Sequence, residues 1–161
     1  MQAMGTKDVQ LALERLELEI EIIEFDSSTA TSQQAADNVR CELGQIVKSL
    51  GFLIEKSKPI LVLASGDQSV DDRKLASLFH VGRKKVRMMN PEQCLSILGY
   101  SPGGVPPLGH RRPDIRVIID DNLRRYDIVY AAGGAANAIF PIELAVLRDV
   151  TKADFADIAR T

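Results

Sequence analysis

The chain has 161 residues, of which 45% are apolar and 26% charged, and its formal net charge is -2. That length suits one core, and an ordinary apolar fraction with 11 glycines, 7 prolines and 2 cysteines excludes disordered, collagen-like and disulfide-knotted chains. An acidic pI of about 5.7 excludes a protein that grips long nucleic acid by charge alone, so any nucleic-acid contact is expected to be small and local.

Residues Met1 to Thr6 are expected to fray. Lys7 to Leu18 space Val9, Leu11, Leu13, Leu16 and Leu18 among charges, which predicts an amphipathic helix. Ile20 to Phe25 reads as a strand, ended by the polar break Asp26-Ser27-Ser28-Thr29. A helix capped by Thr31 or Ser32 turns Ala35, Ala36, Val39 and Leu43 inward and closes at Gly44. Gln45 to Glu55 is a long strand, Lys56-Ser57-Lys58-Pro59 a turn, and Ile60 to Ala64 an apolar strand covered on both faces. No apolar run approaches the ~20 residues of a bilayer span, and no basic segment precedes an apolar one at the N-terminus. A cytoplasmic protein without a membrane partner is the expectation.

Asp71 or Asp72 opens a helix through Phe79, and Arg83 to Met88 reads as a short, solvent-exposed strand. Pro91 to Leu98 is a helix with Asn90 as its cap. Tyr100 to Pro113, with four prolines and three glycines, cannot run as helix or central strand. Ile115 to Ile119, Ile128 to Ala132 and Ala138 to Ile142 are strands, broken by Asp120-Asp121-Asn122 and by Gly133-Gly134; Glu143 to Arg148 and Lys152 to Ala159 are helices. Several neighbouring strands are joined by turns too short for a parallel crossover, which favours a mixed-sheet α+β fold in a single domain over 1–161.

Strict alternation puts Lys48 on one face of its strand with Ile46, Leu50 and Phe52. It is either a strand-end lysine reaching for water or an ammonium at a cleft wall that contacts a phosphate, a carboxylate or a developing oxyanion. The loop is either a stiff connection or a set of preset donors, with the amides of Gly103, Gly104 and Val105 aimed at a carbonyl and Pro106 and Pro107 fixing their angles. His110, beside Arg111 and Arg112, is either a solvated loop histidine or a general base held neutral by its neighbours. Gly133-Gly134 marks a bend, and Asn137 can place an amide in the same pocket. Cys41 and Cys94 lack metal-ligand or CxxC spacing and read as small buried hydrophobes, so no metal or cofactor is expected.

Gln45-Ile46-Val47-Lys48-Ser49-Leu50, then Gly103-Gly104-Val105-Pro106-Pro107-Leu108-Gly109, then Ala132-Gly133-Gly134-Ala135-Ala136-Asn137, in this order, resemble the YbaK and prolyl-tRNA-synthetase-associated domain family, the free-standing and inserted aminoacyl-tRNA editing domains. The resemblance implies a mixed-sheet α+β fold and hydrolysis, in trans, of the ester joining a wrongly chosen amino acid to a tRNA 3' end. It makes Lys48 the main functional side chain, acting with Gly103 and Gly104. The loop Gly103 to Pro107 shapes the aminoacyl pocket, and Leu108, Gly109, His110, Gly133, Gly134 and Asn137 are further candidates for binding. It implies a tRNA 3' end as partner, with a synthetase as a candidate second one, and no sequence-specific DNA. The alanine-editing branch has a histidine in the last strand region where Gly133-Gly134 stands here, and cysteinyl-, alanyl- and seryl-tRNA remain open as substrates. The alternatives are a non-catalytic module binding a nucleotide or a synthetase through the same pocket, and a small-molecule ester hydrolase.

Overall fold

The computed structural model describes residues 1–161. Its strands are β1 (Ile23–Glu24), β2 (Ile46–Ile54), β3 (Lys58–Ser65), β4 (Val86–Met88), β5 (Arg116–Asp120), β6 (Ile128–Ala132), β7 (Ala138–Glu143) and β8 (Asp154–Ala156). Its helices are α1 (Thr6–Arg15), α2 (Ser32–Val39), α3 (Asp72–Leu78), α4 (Pro91–Gln93, continued by a π turn over Cys94–Leu98) and α5 (Leu144–Thr151). The two longest apolar runs pair with each other: β2 and β3 form an antiparallel hairpin from Val47 opposite Ser65 to Ile54 opposite Lys58. The turn between them puts Glu55 and Lys56 at positive φ, the twist a tight hairpin demands. Pro59, which has no N–H to give, stands one residue ahead of the point where β5 joins β3 at Ile60.

All strands belong to one mixed sheet in the order β1-β7-β6-β2-β3-β5-β8, with β4 also on β2. β2–β6, β3–β5 and β5–β8 are parallel and the remaining pairs antiparallel. Alternation along β3 sends Leu61 and Leu63 to one face and Ile60 and Val62 to the other. The first face packs on α1, the π turn of α4, α5 and the long loop, through Val9, Leu13, Leu98, Leu108 and Leu147. The second face is covered in two places, by Ala35 and Ala36 of α2 over Ile46 and Ile139, and by Leu75 and Ala76 of α3 over Phe52 and Val62. Each such fully buried aliphatic side chain contributes about 1.5–3 kcal/mol. The result is a single-domain mixed-sheet α+β fold, as the sequence pattern indicates.

Several elements differ from the sequence reading. Lys152 to Ala159 is not a helix: Lys152 takes a left-handed conformation that ends α5, and the next residues pair as β8 with the open edge of β5. The strand expected over Ile20 to Phe25 shrinks to β1, because the Gln10 side chain takes the backbone groups that would have paired, donating to Ile20 O (3.0 Å) and accepting from Ile22 N (3.3 Å). Arg83–Lys85 coils into a 3-10 turn, which confines the strand there to β4. α1 stops at Arg15 and α2 at Val39, where Arg40 is left-handed. The N-terminal residues expected to fray are tied at Met4, whose N–H donates to Gly99 O at 2.7 Å.

Asp120 closes the structure at the C-terminal end of β5. It is fully buried, and its carboxylate accepts from Ile158 N (3.1 Å), Asn122 N (3.1 Å) and Asn122 Nδ2 (2.8 Å). Asp120→Ala leaves the Ile158 N–H buried without an acceptor and uncaps the turn after β5, an expected loss of ~2–4 kcal/mol measured by urea unfolding.

Candidate functional site

The site lies where β2 changes partner. β3 follows one edge of β2 over its whole length, but on the other edge β6 pairs only with Ile46 and Val47, and β4 joins only from Phe52. Lys48, Ser49 and Leu50 therefore face no strand on that edge. The same stretch also falls in the gap between α2 and α3 on the second face, which leaves Lys48 and Leu50 only partly covered.

A cavity of ≈ 230 Å³ opens at this gap, with Thr29 to Ser32 on one wall, Ile46 to Leu50 beneath, Gly103 and Val105 across from them, and Ala132 and Ile139 behind. Lys48, on its floor, donates from Nζ to Gln68 O. Burial pushes the Lys48 ammonium pKa down from its ordinary value, opposed by the negative charge of Asp67. Asp67 is itself engaged by Arg125 in a forked pair of 2.8 and 3.0 Å, which holds its carboxyl down at about 2. Arg125 also donates to Ser65 Oγ at 2.7 Å, and Ser65 Oγ donates to Gly44 O. Thr29 and Ser49 border the cavity, while their hydroxyl oxygens are turned away from its open space and have no hydrogen-bond partner in the protein. A buried hydroxyl without a partner costs free energy.

The loop supplies the opposite wall. Gly103 has φ +91°, a conformation that favours glycine, and lies against Ala30, where a side chain would meet Ala30 Cβ at 3.1 Å. The amides of Gly103 and Val105 make no hydrogen bond inside the protein. The Gly104 amide, expected to face the ligand with them, instead donates to Ser101 O at 3.2 Å, and Gly104 is a glycine because the backbone of Ala135 would stand 2.9 Å from a side chain there.

The other candidate residues do not line the cavity. Pro106, Pro107 and Leu108 are buried, and Leu108 belongs to the core of the first face. Gly109 O accepts from the buried Tyr100 hydroxyl at 2.7 Å. His110 Nε2 lies 2.8 Å from Pro106 O; a carbonyl can only accept, so the ring proton sits on Nε2, and burial pushes the His110 pKa down. Gly133 N donates to Ala138 O at 2.8 Å, and a side chain at Gly134 would meet the Gly5 backbone at 2.8 Å. Asn137 Nδ2 donates to Phe25 O at 3.0 Å, and Phe25 N donates to Asn137 O at 2.8 Å. This last pair carries the 26–30 segment, with Thr29 N donating to Ala136 O at 2.6 Å, so Asn137 stands behind the cavity wall and not in it.

The sequence reading missed Thr29 to Ser32, Ser49 and the Asp67–Arg125 pair. Thr29 stood in plain view as part of a strand-ending polar break; nothing local distinguishes a break from a cavity wall. No group of three histidine, cysteine or acidic side chains lies together in a way that could hold a metal ion. Cys94 is buried and Cys41 half-buried, and burial pushes both thiols up.

With the geometry described, comparison with known proteins places the chain. Residues 26–150 match the family model of the aminoacyl-tRNA editing domain, and the chain belongs to that family. It is 35% identical to the uncharacterized protein YwhH of Bacillus subtilis over 84% of this chain and 83% of that one. It is 24% identical to EbsC of Enterococcus faecalis, a proposed Cys-tRNA(Pro)/Cys-tRNA(Cys) deacylase, over 80% of this chain and 76% of that one. Among solved structures, a protein proposed to be a trans-editing enzyme for prolyl tRNA synthetase superposes with a TM-score of 0.89 at 36% identity, covering 97% of both chains.

His110 gives the loop a pH signature. Because its folded pKa is depressed, the neutral ring contributes stability above the unfolded value of about 6.5, and that contribution is lost as the pH falls below it. The melting temperature of the wild type should therefore fall more steeply from pH 7 to about pH 5.5 than that of His110→Gln, as read by scanning calorimetry. Parallel pH profiles for the two proteins would remove His110 from that role.

Proposed function

We propose that the protein is an aminoacyl-tRNA deacylase acting in trans, which hydrolyses the ester between a small, wrongly chosen amino acid and the 3' end of a tRNA. The observation that carries this reading is the convergence, around one small cavity at an open strand edge, of a single ammonium and two loop residues whose amides make no hydrogen bond inside the protein.

In this reading Lys48 holds the terminal nucleotide through its phosphate or ribose oxygens. The Gly103 and Val105 amides take the ester carbonyl and stabilise the negative charge that develops on it as a water, oriented by the ribose's neighbouring hydroxyl, attacks. The carbon–oxygen ester bond breaks, the water oxygen stays on the acyl carbon as the new carboxylate, and one of the water's protons goes to the departing ribose oxygen. No nucleophile–base triad is needed, since the ester is an activated bond and positioning supplies much of the rate. A volume of ≈ 230 Å³ lies below the range of about 300–1,000 Å³ of ordinary small-molecule sites, which supports a small aminoacyl group such as alanyl, seryl or cysteinyl.

The test is amino-acid release from a panel of alanyl-, seryl-, cysteinyl- and prolyl-tRNAs. The wild type should exceed the spontaneous rate on at least one of the small residues, and Lys48→Ala should lower kcat/KM by ~2–4 kcal/mol, or about 30- to 1,000-fold, with an unchanged circular dichroism spectrum. Release at the spontaneous rate by the wild type would point instead to a binding module that uses the same pocket. Exhaustive treatment with EDTA should leave the rate unchanged; recovery of a lost rate on adding Zn²⁺ or Mg²⁺ would overturn the metal-free reading.

A further inference from the structure

The space around Lys48 does not end at the cavity. On the same sheet face a groove of ≈ 380 Å³ starts at Lys48 and Leu50, the two residues it shares with the cavity, and runs over Val70 and Val86 to Met88 and Arg160. An apolar strip of Leu50, Val70 and Val86 runs along it, with Phe52 buried beneath, and Ser69 and Asp72 add a polar side. Met88, 59% exposed on β4, presents a flexible thioether to open space. Arg160 is exposed and forms no ion pair. Asp72, the acidic residue on the rim, is paired with Arg83 Nε at 3.0 Å, and that engagement, with the nearby charge of Arg160, lowers its pKa.

An apolar strip with an ammonium at one end and a guanidinium free of ion pairs at the other suits a nucleotide: the base covers the strip, and the phosphates meet the cations. The deacylase reading puts the ester inside the cavity and the sugar that carries it at Lys48. The rest of the strand must then leave past Lys48, and the groove is the continuous path on that side. We infer that this groove seats the terminal nucleotides of the tRNA 3' strand, with a base against Leu50, Val86 and Met88 and a backbone phosphate against Arg160. The inference rests on the deacylase reading for the direction of the strand, yet it involves side chains that take no part in the chemistry.

The experiment uses the full chain, an uncharged RNA minihelix ending in CCA, and two surface variants, Arg160→Ala and Met88→Glu, whose folding is checked by thermal unfolding. Binding is read by fluorescence anisotropy over a salt series, and by the ¹³C-methyl signal of Met88 in the wild type. The minihelix should shift that signal. Arg160→Ala should weaken binding about 5- to 10-fold and reduce the slope of log K against log salt by about 0.7, the share of one single-strand phosphate contact. Met88→Glu should weaken binding at least as much, since it sets a carboxylate beside the phosphates. In turnover both variants should raise KM with little change in kcat, and neither should alter hydrolysis of an aminoacyl ester of a simple alcohol.

Unchanged affinity and salt slope in both variants, or a Met88 signal that the minihelix leaves in place, would overturn the groove. A wild type that binds the minihelix through Met88 and Arg160 but releases no amino acid keeps the groove and overturns the deacylase reading. Deacylation by both variants at wild-type KM does the reverse.

Discussion

The exchange of partners along one edge of β2 is the constraint from which the site follows. β6 arrives parallel and leaves after Val47; β4 arrives antiparallel and joins at Phe52. Strands that diverge from a common neighbour open a crevice between them, and α2 and α3 each cover only the part of the second face that its own apolar residues reach. The uncovered stretch holds Lys48 and Leu50, so the one charged residue of β2 sits where water and a ligand can reach it. In the middle of either covered patch, the same lysine would need a buried partner or would lose its charge.

The charge arrangement around Lys48 keeps that ammonium available. Asp67 is close enough to favour the protonated amine, but its oxygens are taken by the Arg125 fork, and Lys48 itself donates to the neutral carbonyl of Gln68. An anion that approaches Lys48 therefore does not have to displace a carboxylate. Arg125, Ser65 and Gly44 link the end of β3, the turn before β2 and the turn after β5 into one polar network, so the position of Lys48 is set by three elements at once.

The opposite wall is held from behind. Tyr100 and His110 fasten the second half of the loop through the carbonyls of Gly109 and Pro106, and Leu108 anchors it in the core. Asn137 and Ala136 play the matching role for the 26–30 segment. Each cavity wall is thus a short piece of irregular backbone whose supports lie outside the cavity. A wall held in this way before a ligand binds requires little reorganisation on binding.

Much of the architecture was legible in the sequence. Continuous apolar runs marked β3, alternation marked β2 and isolated Lys48 on its face, and caps such as Asn90 and Thr31 marked helix starts, because these signals are local and follow from backbone periodicity and hydrogen-bond satisfaction. The order of motifs around Lys48, Gly103 and Gly133 likewise indicated the family to which the chain belongs. Other features were decided by contacts between residues far apart in the chain. Within Lys152 to Ala159, Asp154–Ala156 pairs as a strand because β5 offers an open edge, and Ile20 to Phe25 largely loses its strand because Gln10 takes its backbone groups. The separation of Gly103 and Val105, which line the cavity, from Leu108, His110 and Asn137, which support it, belongs to tertiary structure alone. The reason is physical: composition and spacing show that a loop can bend and donate, but which of its groups stay free depends on the acceptors that distant segments bring to it.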